Sequence, residues 1–230
     1  VADSDVLIVG GGPVGLMNAL GLGRAGVSVE LLDAAPAALD EPRGMVYHWS
    51  SMANLERLGV LADAIEAGFL RQDWALRVFR SQERIYFDMD VLKDQVKHPY
   101  DLHLGQDDLS AVLLNHIARL SNVTIHWNTP MRSLRQDDTG VVVVAGDGED
   151  VTEFRGSWLI GADGARSVVR KASGLTFDGI TWDQRFVATN CLGDYDEHYD
   201  TQGYLVDDRY GAVVAKINKA GLWRHTYSEP

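Results

Sequence analysis

The chain has 230 residues, 46% of them hydrophobic and 9% aromatic, with 23 Gly, 6 Pro and a single Cys. That composition supplies a core for one large or two small domains and excludes disordered, collagen-like and disulfide-scaffold classes. Its 21 Lys and Arg against 33 Asp and Glu give a formal charge of −12, which excludes nucleic acid and anionic membrane as partners held by the bulk field.

An anionic ligand therefore has to be held by helix N-termini, Gly-rich loops or individual arginines. The lone Cys191 has no intrachain partner and no secretory leader is read, so the expectation is a protein of the reducing cytoplasm. The longest apolar runs are shorter than a bilayer-spanning helix requires.

Val6-Leu7-Ile8-Val9 is a continuous apolar run, the pattern of a strand buried on both faces of a parallel sheet. Gly10-Gly11-Gly12-Pro13-Val14-Gly15 follows and opens a helix that Gly26 stops, with Pro13 in the first turn. Residues 27–32 form a second buried-strand run ending at Asp33. The whole has the size of a βαβ unit.

After a loop containing Pro36 and Pro42, two short helices are predicted over 51–67, with Gly59 and Gly68 as stops. Residues 74–89 read as a β-hairpin and 107–120 as an amphipathic helix with an acidic start. Residues 123–127 are the next strand. A hairpin is predicted from 141–145 and 151–154 around Gly146-Asp147-Gly148, and residues 158–160 form a separate strand. The rest is strand-rich: 185–190, 203–206, 212–217 and 222–227.

Gly10-x-Gly12-x-x-Gly15 between a strand and a helix is the dinucleotide-binding fingerprint in its required context. Gly10 permits the tight turn, Gly12 the approach of a pyrophosphate to the backbone, and Gly15 close packing of helix on strand. Asp33, at the C-terminal end of the second strand, is the ribose ligand this pattern predicts. A carboxylate there favours FAD or NAD over NADP. No Lys-Ser or Lys-Thr follows the last glycine, which excludes a phosphate-loop NTPase.

Three further segments resemble the FAD-dependent aromatic hydroxylases, the single-component flavoprotein monooxygenases of phenol, hydroxyphenylpropionate and p-hydroxybenzoate hydroxylase type. They are Pro42-Arg43-Gly44, Gly105-Gln106-Asp107-Asp108-Leu109 and Gly161-Ala162-Asp163-Gly164-Ala165-Arg166-Ser167. The resemblance implies Arg43 near the FAD ribose and pyrophosphate, Gln106 near the ribityl chain, and Asp163 at both FAD and NADPH. By position alone it implies an adenine-side contact at Met131, where a methionine filling a core gap is the alternative. With Gly10, Gly12, Pro13, Val14, Gly15 and Asp33, these are the candidate cofactor-binding residues.

The fold implied is α/β: a Rossmann-like FAD-binding domain, 1–71 and 97–181, interleaved with a β-rich substrate domain, 72–96 and 182–230. The activity implied is hydroxylation of a small phenolic or aromatic substrate. NAD(P)H acts as transient reductant of FAD, and O2 is taken up as a flavin C4a-hydroperoxide. Another flavoprotein on this scaffold, an epoxidase or Baeyer–Villiger oxygenase, and a non-catalytic nucleotide-binding fragment are the alternatives. The Gly-Asp segment that completes the family's flavin site is not found. The C-terminal part of the family fold is therefore expected to be missing, with the remainder of the same chain or a second polypeptide needed for turnover. Tyr47, His48 and Tyr100 are able to deprotonate a phenol if they line the pocket, but the sequence assigns no catalytic residue. No metal site is read either, since the acidic run 194–200 has the pattern of a solvated loop.

Overall fold

The computed structural model describes residues 2–148, 150–196, 202–208 and 211–229; from residue 197 onward the acidic run lies outside them. Along the chain run β1 (Ala2–Val9), α1 (Pro13–Arg24), β2 (Val29–Leu32), β3 (Val46–Tyr47), α2 (Trp49–Arg57) and α3 (Leu61–Ala67). Then come β4 (Phe69–Arg71), β5 (Asp73–Val78), β6 (Arg84–Asp88), a 3-10 turn (Met89–Leu92), β7 (Asp101–His103) and α4 (Gln106–Ile117). They continue as β8 (Val123–His126), β9 (Met131–Asp137), β10 (Gly140–Asp147), β11 (Asp150–Gly161) and α5 (Val168–Ala172). The described elements end with β12 (Arg185–Leu192), β13 (Gln202–Val206), β14 (Gly211–Lys216) and β15 (Leu222–Glu229).

Packing divides the chain into two compact units, Val1–Glu41 with Leu109–Asp178 and Pro42–Asp108 with Gly179–Pro230. The first holds a six-stranded sheet ordered β8-β2-β1-β11-β10-β9. Strands β8, β2, β1 and β11 run parallel, while β10 and β9 are antiparallel neighbours. Leu7, Ile8, Leu31 and Leu32 are fully buried, as the uninterrupted apolar runs require. Leu16, Ala19 and Leu20 of α1 bury completely as well.

β11 is one strand of 12 residues where the sequence suggested two. Its first half pairs antiparallel with β10 and its second half parallel with β1. Gly156 pairs with both neighbours, opposite Ser4 of β1 and Val141 of β10, and a Cβ there would lie 2.9 Å from the Leu7 side chain. The apparent break at Arg155-Gly156-Ser157 is therefore spanned by a continuous strand, with Phe154, Arg155 and Gly156 paired to β10 on one edge and β1 on the other.

In the second unit the β5–β6 hairpin joins the C-terminal strands in a sheet ordered β12-β15-β14-β13-β5-β6. Contact is made by parallel pairing of β5 with β13, Gly203 opposite Ala75. Leu205, Val214 and fully buried Trp223 form its core cluster. A three-stranded sheet, β3-β7-β4, was not read from sequence. Its strands are two or three residues long, too short to carry a period. Compactness groups 42–71 and 97–108 with the C-terminal strands; which segments serve the cofactor is a separate, functional question.

His103 locks this small sheet to the large one. It is fully buried; its Nδ1 donates to the Lys216 carbonyl at 2.7 Å and its Nε2 faces the Gln202 side chain at 3.2 Å. Burial pushes the imidazole down from its ordinary value, opposed by these two hydrogen bonds. The unfolded chain then takes up the proton first as pH falls, so the stabilisation is complete above about pH 6.5 and is lost below it. His225, pushed down by burial, acts with the same sign. The thermal midpoint is expected to fall between about pH 7.5 and pH 5.5, and His103→Gln to flatten that slope. An unchanged slope in the variant would remove His103 from the account.

Candidate functional site

In the first unit the fingerprint turn is built by steric necessity. Gly10 has φ +113°, and a Cβ there would lie 2.4 Å from the Ala162 carbonyl group and 2.7 Å from the Asp163 nitrogen. A Cβ on Gly15 would lie 1.8 Å from the Gly10 oxygen. Gly12 differs, because a Cβ there meets nothing within 4 Å. Its freedom from packing leaves the backbone open to an approaching ligand.

Gly12 is also the N-cap of α1, with Pro13 next, no side chain capping the helix and no acid in its first turn. Val14 is exposed beside them. The first backbone N–H groups of a helix have no partner within it and carry partial positive charge. An anion placed there meets donors without competition from a carboxylate.

Asp33 stands at the end of β2, half-buried. Its Oδ2 accepts from the Gly11 N–H at 2.5 Å and its Oδ1 from the Ala35 N–H at 2.7 Å. The carboxylate thus fixes the fingerprint turn as well as offering its remaining lone pairs. The Asp-Gly loop packs against the same turn: the Ala162 N–H donates to the Val9 carbonyl at 2.7 Å. Asp163 itself caps α5, accepting from Ser167 Oγ at 2.6 Å and from the Val168 and Val169 N–H groups at 2.5 and 3.2 Å. Its carboxylate is engaged with the helix it starts, while its backbone lies against Gly10. Arg166 is exposed.

The second unit brings Pro42-Arg43-Gly44 and Gln106 together. The Gln106 N–H donates to the Gly44 carbonyl at 2.8 Å. Arg224, buried on β15, donates its two terminal nitrogens to the Pro42 and Arg43 carbonyls and its Nε to Asn190 Oδ1 at 2.9 Å. Burial pushes the Arg224 guanidinium down from its ordinary value, opposed by the nearby Asp107. Burial and the same Asp107 push the Tyr47 phenol up to about 12.

The sequence model of the FAD binding domain family matches residues 3–217. The chain belongs to this FAD-binding family. It is 45% identical over 97% of its length to a 6-hydroxy-3-succinoylpyridine 3-monooxygenase of Pseudomonas putida, of which it covers 58%. It is 41% identical, again over 97% of its length, to a para-nitrophenol 4-monooxygenase of a Pseudomonas species, of which it covers 56%. The crystal structure of a p-nitrophenol 4-monooxygenase from Pseudomonas putida superposes on all of the chain with a TM-score of 0.95 at 38% identity, and the chain covers 58% of it. The chain therefore spans little more than half the length of these relatives.

The residues present fit FAD on their own geometry: an open Gly12, an uncapped helix N-terminus and an acid at the end of β2. Met131 is half-buried and packs against the cluster of Leu7, Val9, Leu32 and Phe154. Three residues of this FAD-binding chain escaped the sequence reading. Gly11 lies so close to Trp127 that a Cβ would sit 2.8 Å from the indole, and Trp127 thereby walls the turn beside Asp33. A run of three glycines was the available signal for Gly11. Arg224 carried no local signal, because its partners Pro42 and Arg43 are about 180 residues away in sequence.

Proposed function

We propose that the protein containing this chain is a flavin-dependent monooxygenase that uses NAD(P)H and O2 to hydroxylate a small phenolic or related aromatic substrate. The observation that carries this is the likeness, over 97% of the chain, to two monooxygenases named for an oxygen-bearing pyridine and a nitrophenol. When bound, FAD supplies the redox chemistry; the protein binds, orients and excludes water.

In this reading Gly10, Gly12, Pro13, Val14 and Gly15 receive the pyrophosphate, and Asp33 the ribose. Arg43 and Gln106 take the pyrophosphate side and the ribityl chain, with Asp163 and Met131 as further contacts. Residues 1–71 and 97–181 act as the FAD-binding domain, and 72–96 with 182–230 as the substrate domain. The rest of the same chain or a second polypeptide completes the flavin site. The place of action is the cytoplasm, a reading that draws on the single cysteine.

The test is reconstitution with FAD followed by a panel of phenols under NADPH and O2. A flavin spectrum and a hydroxylated product are expected. A protein that stays colourless, or one that oxidises NADPH without hydroxylating any member of the panel, would refute the reading.

A further inference from the structure

A cavity of about 360 Å³ opens within the second unit, walled by Trp74, Phe87 and Tyr204 with His48, Trp49 and Asp101 at its polar side. The Trp74 and Phe87 rings stack at 4.1 Å with 13° between planes, and Tyr204 meets Trp74 edge-on at 5.3 Å. Walls of this kind suit one flat ring, and the volume is of ligand-pocket size.

The polar side follows from strand register. β3 and β7 pair antiparallel with Val46 opposite His103 and Tyr47 opposite Leu102, which sets His48 opposite Asp101. The Asp101 side chain is only 2% exposed; its Oδ1 accepts from the Trp49 N–H at 2.9 Å and its Oδ2 lies 3.0 Å from His48 Nδ1. A buried carboxylate anchored by a backbone N–H holds a proton on Nδ1 and leaves Nε2 as the acceptor. The His48 side chain is 60% exposed, so that nitrogen is accessible. The same two-stranded ribbon carries Gly44 and Gln106 beyond its other end, about four residues or ~13 Å along the strand.

Of Tyr47, His48 and Tyr100, His48 is the one that lines the cavity. Tyr47 and Tyr100 are both held protonated by burial, reinforced by Asp107 and Glu56 respectively. The other titratable groups facing the cavity are Asp88, Asp101 and Tyr204.

We propose that this cavity binds the aromatic ring of a phenol and that His48 Nε2, held by Asp101, removes the hydroxyl proton. The O–H bond breaks, an Nε2–H bond forms, and the electron pair stays on the phenolate oxygen. The imidazolium is stabilised by Asp101, and the ring gains the electron density that electrophilic oxygen transfer demands. No oxidant is consumed in the step. The proposal rests on the monooxygenase reading; Asp101 is a positioning residue.

The experiment uses the FAD-loaded protein without NAD(P)H and a nitrophenol whose phenolate absorbs visibly. In the wild type the bound phenol is expected to ionise at a lower pH than the free compound, and in His48→Gln at least about one unit higher than in the wild type. In turnover, His48→Gln should lose about 100-fold or more in kcat with phenols neutral at the assay pH. That loss should shrink as pH approaches the phenol's own pKa, and phenols already ionised should be little affected. Free imidazole should restore part of the rate to His48→Ala. Equal ionisation of bound phenol in wild type and variant, or equal loss across all phenols, would overturn the proposal. A wild type that binds no phenol overturns the cavity assignment, and its flavin spectrum then tells whether the monooxygenase reading has failed too.

Discussion

Gly12→Ala will leave the protein as stable as the wild type and lower its affinity for FAD by on the order of 100-fold. Gly15→Ala will unfold it at a markedly lower temperature. The two substitutions add the same methyl group to the same turn, and the difference lies in what that methyl group meets. At Gly12 the backbone has φ −73°, which any residue adopts, and no protein atom lies within 4 Å of the new Cβ. The methyl group then occupies only the open space that the proposed reading gives to the pyrophosphate. At Gly15 the Cβ falls 1.8 Å from the Gly10 oxygen and 3.0 Å from its carbonyl carbon. Those are backbone atoms of a turn already pressed against Ala162, so α1 must separate from β1. Overpacking of that severity costs on the order of 3 kcal/mol or more. Thermal melts of the apoproteins and FAD titrations separate the two effects. A Gly12→Ala protein that binds FAD as the wild type does would mean that no ligand approaches the turn there.

The first unit's core was legible because its signals are local. The run of Val6-Leu7-Ile8-Val9, three glycines at fixed spacing and Asp33 after the second run are separated by a single helix, and each residue's reason is found within the βαβ unit. The β5–β6 hairpin and the stops at Gly59 and Gly68 were legible for the same reason. β9 was not, since Met131-Arg-Ser-Leu-Arg-Gln-Asp is mostly polar and lies at the sheet edge, where one apolar face in two is enough. β3, β4 and β7 acquire strand geometry only from one another. The His48–Asp101 pair depends on that small sheet, so two residues 53 positions apart had no sequence pattern to join them. Asp163 shows the opposite limit. Its position in the motif was readable, but the commitment of its carboxylate to the α5 N-terminus depends on Ser167 and Val168 folding back toward it. The same logic answers the charge arithmetic: against −12 overall, the donors offered to an anion are backbone N–H groups, whose placement net charge does not report.

Arg224→Ala should be strongly destabilising to the second unit. Arg224 is 9% exposed and spends its guanidinium fork on the Pro42 and Arg43 carbonyls, with Nε on Asn190. Removing it leaves two backbone carbonyls and a side-chain oxygen without these donors, and withdraws the positive charge beside Asp107. One Asp107 oxygen is already buried without a hydrogen bond. Loss of a buried, charge-assisted set of this kind costs roughly 3–5 kcal/mol. Arg224→Lys should recover little, because a single ammonium cannot reach two carbonyls in a fixed plane. In the reading proposed above the consequence extends to the cofactor, since the fork of Arg224 is bound to the Pro42-Arg43-Gly44 segment. Freed of it, Arg43 loses a defined position and the Gly44 carbonyl no longer presents a fixed acceptor to Gln106. FAD affinity should therefore fall together with stability, in both variants. An Arg224→Lys protein with wild-type melting and wild-type FAD affinity would show that the loop is held by other contacts and that the fork is incidental.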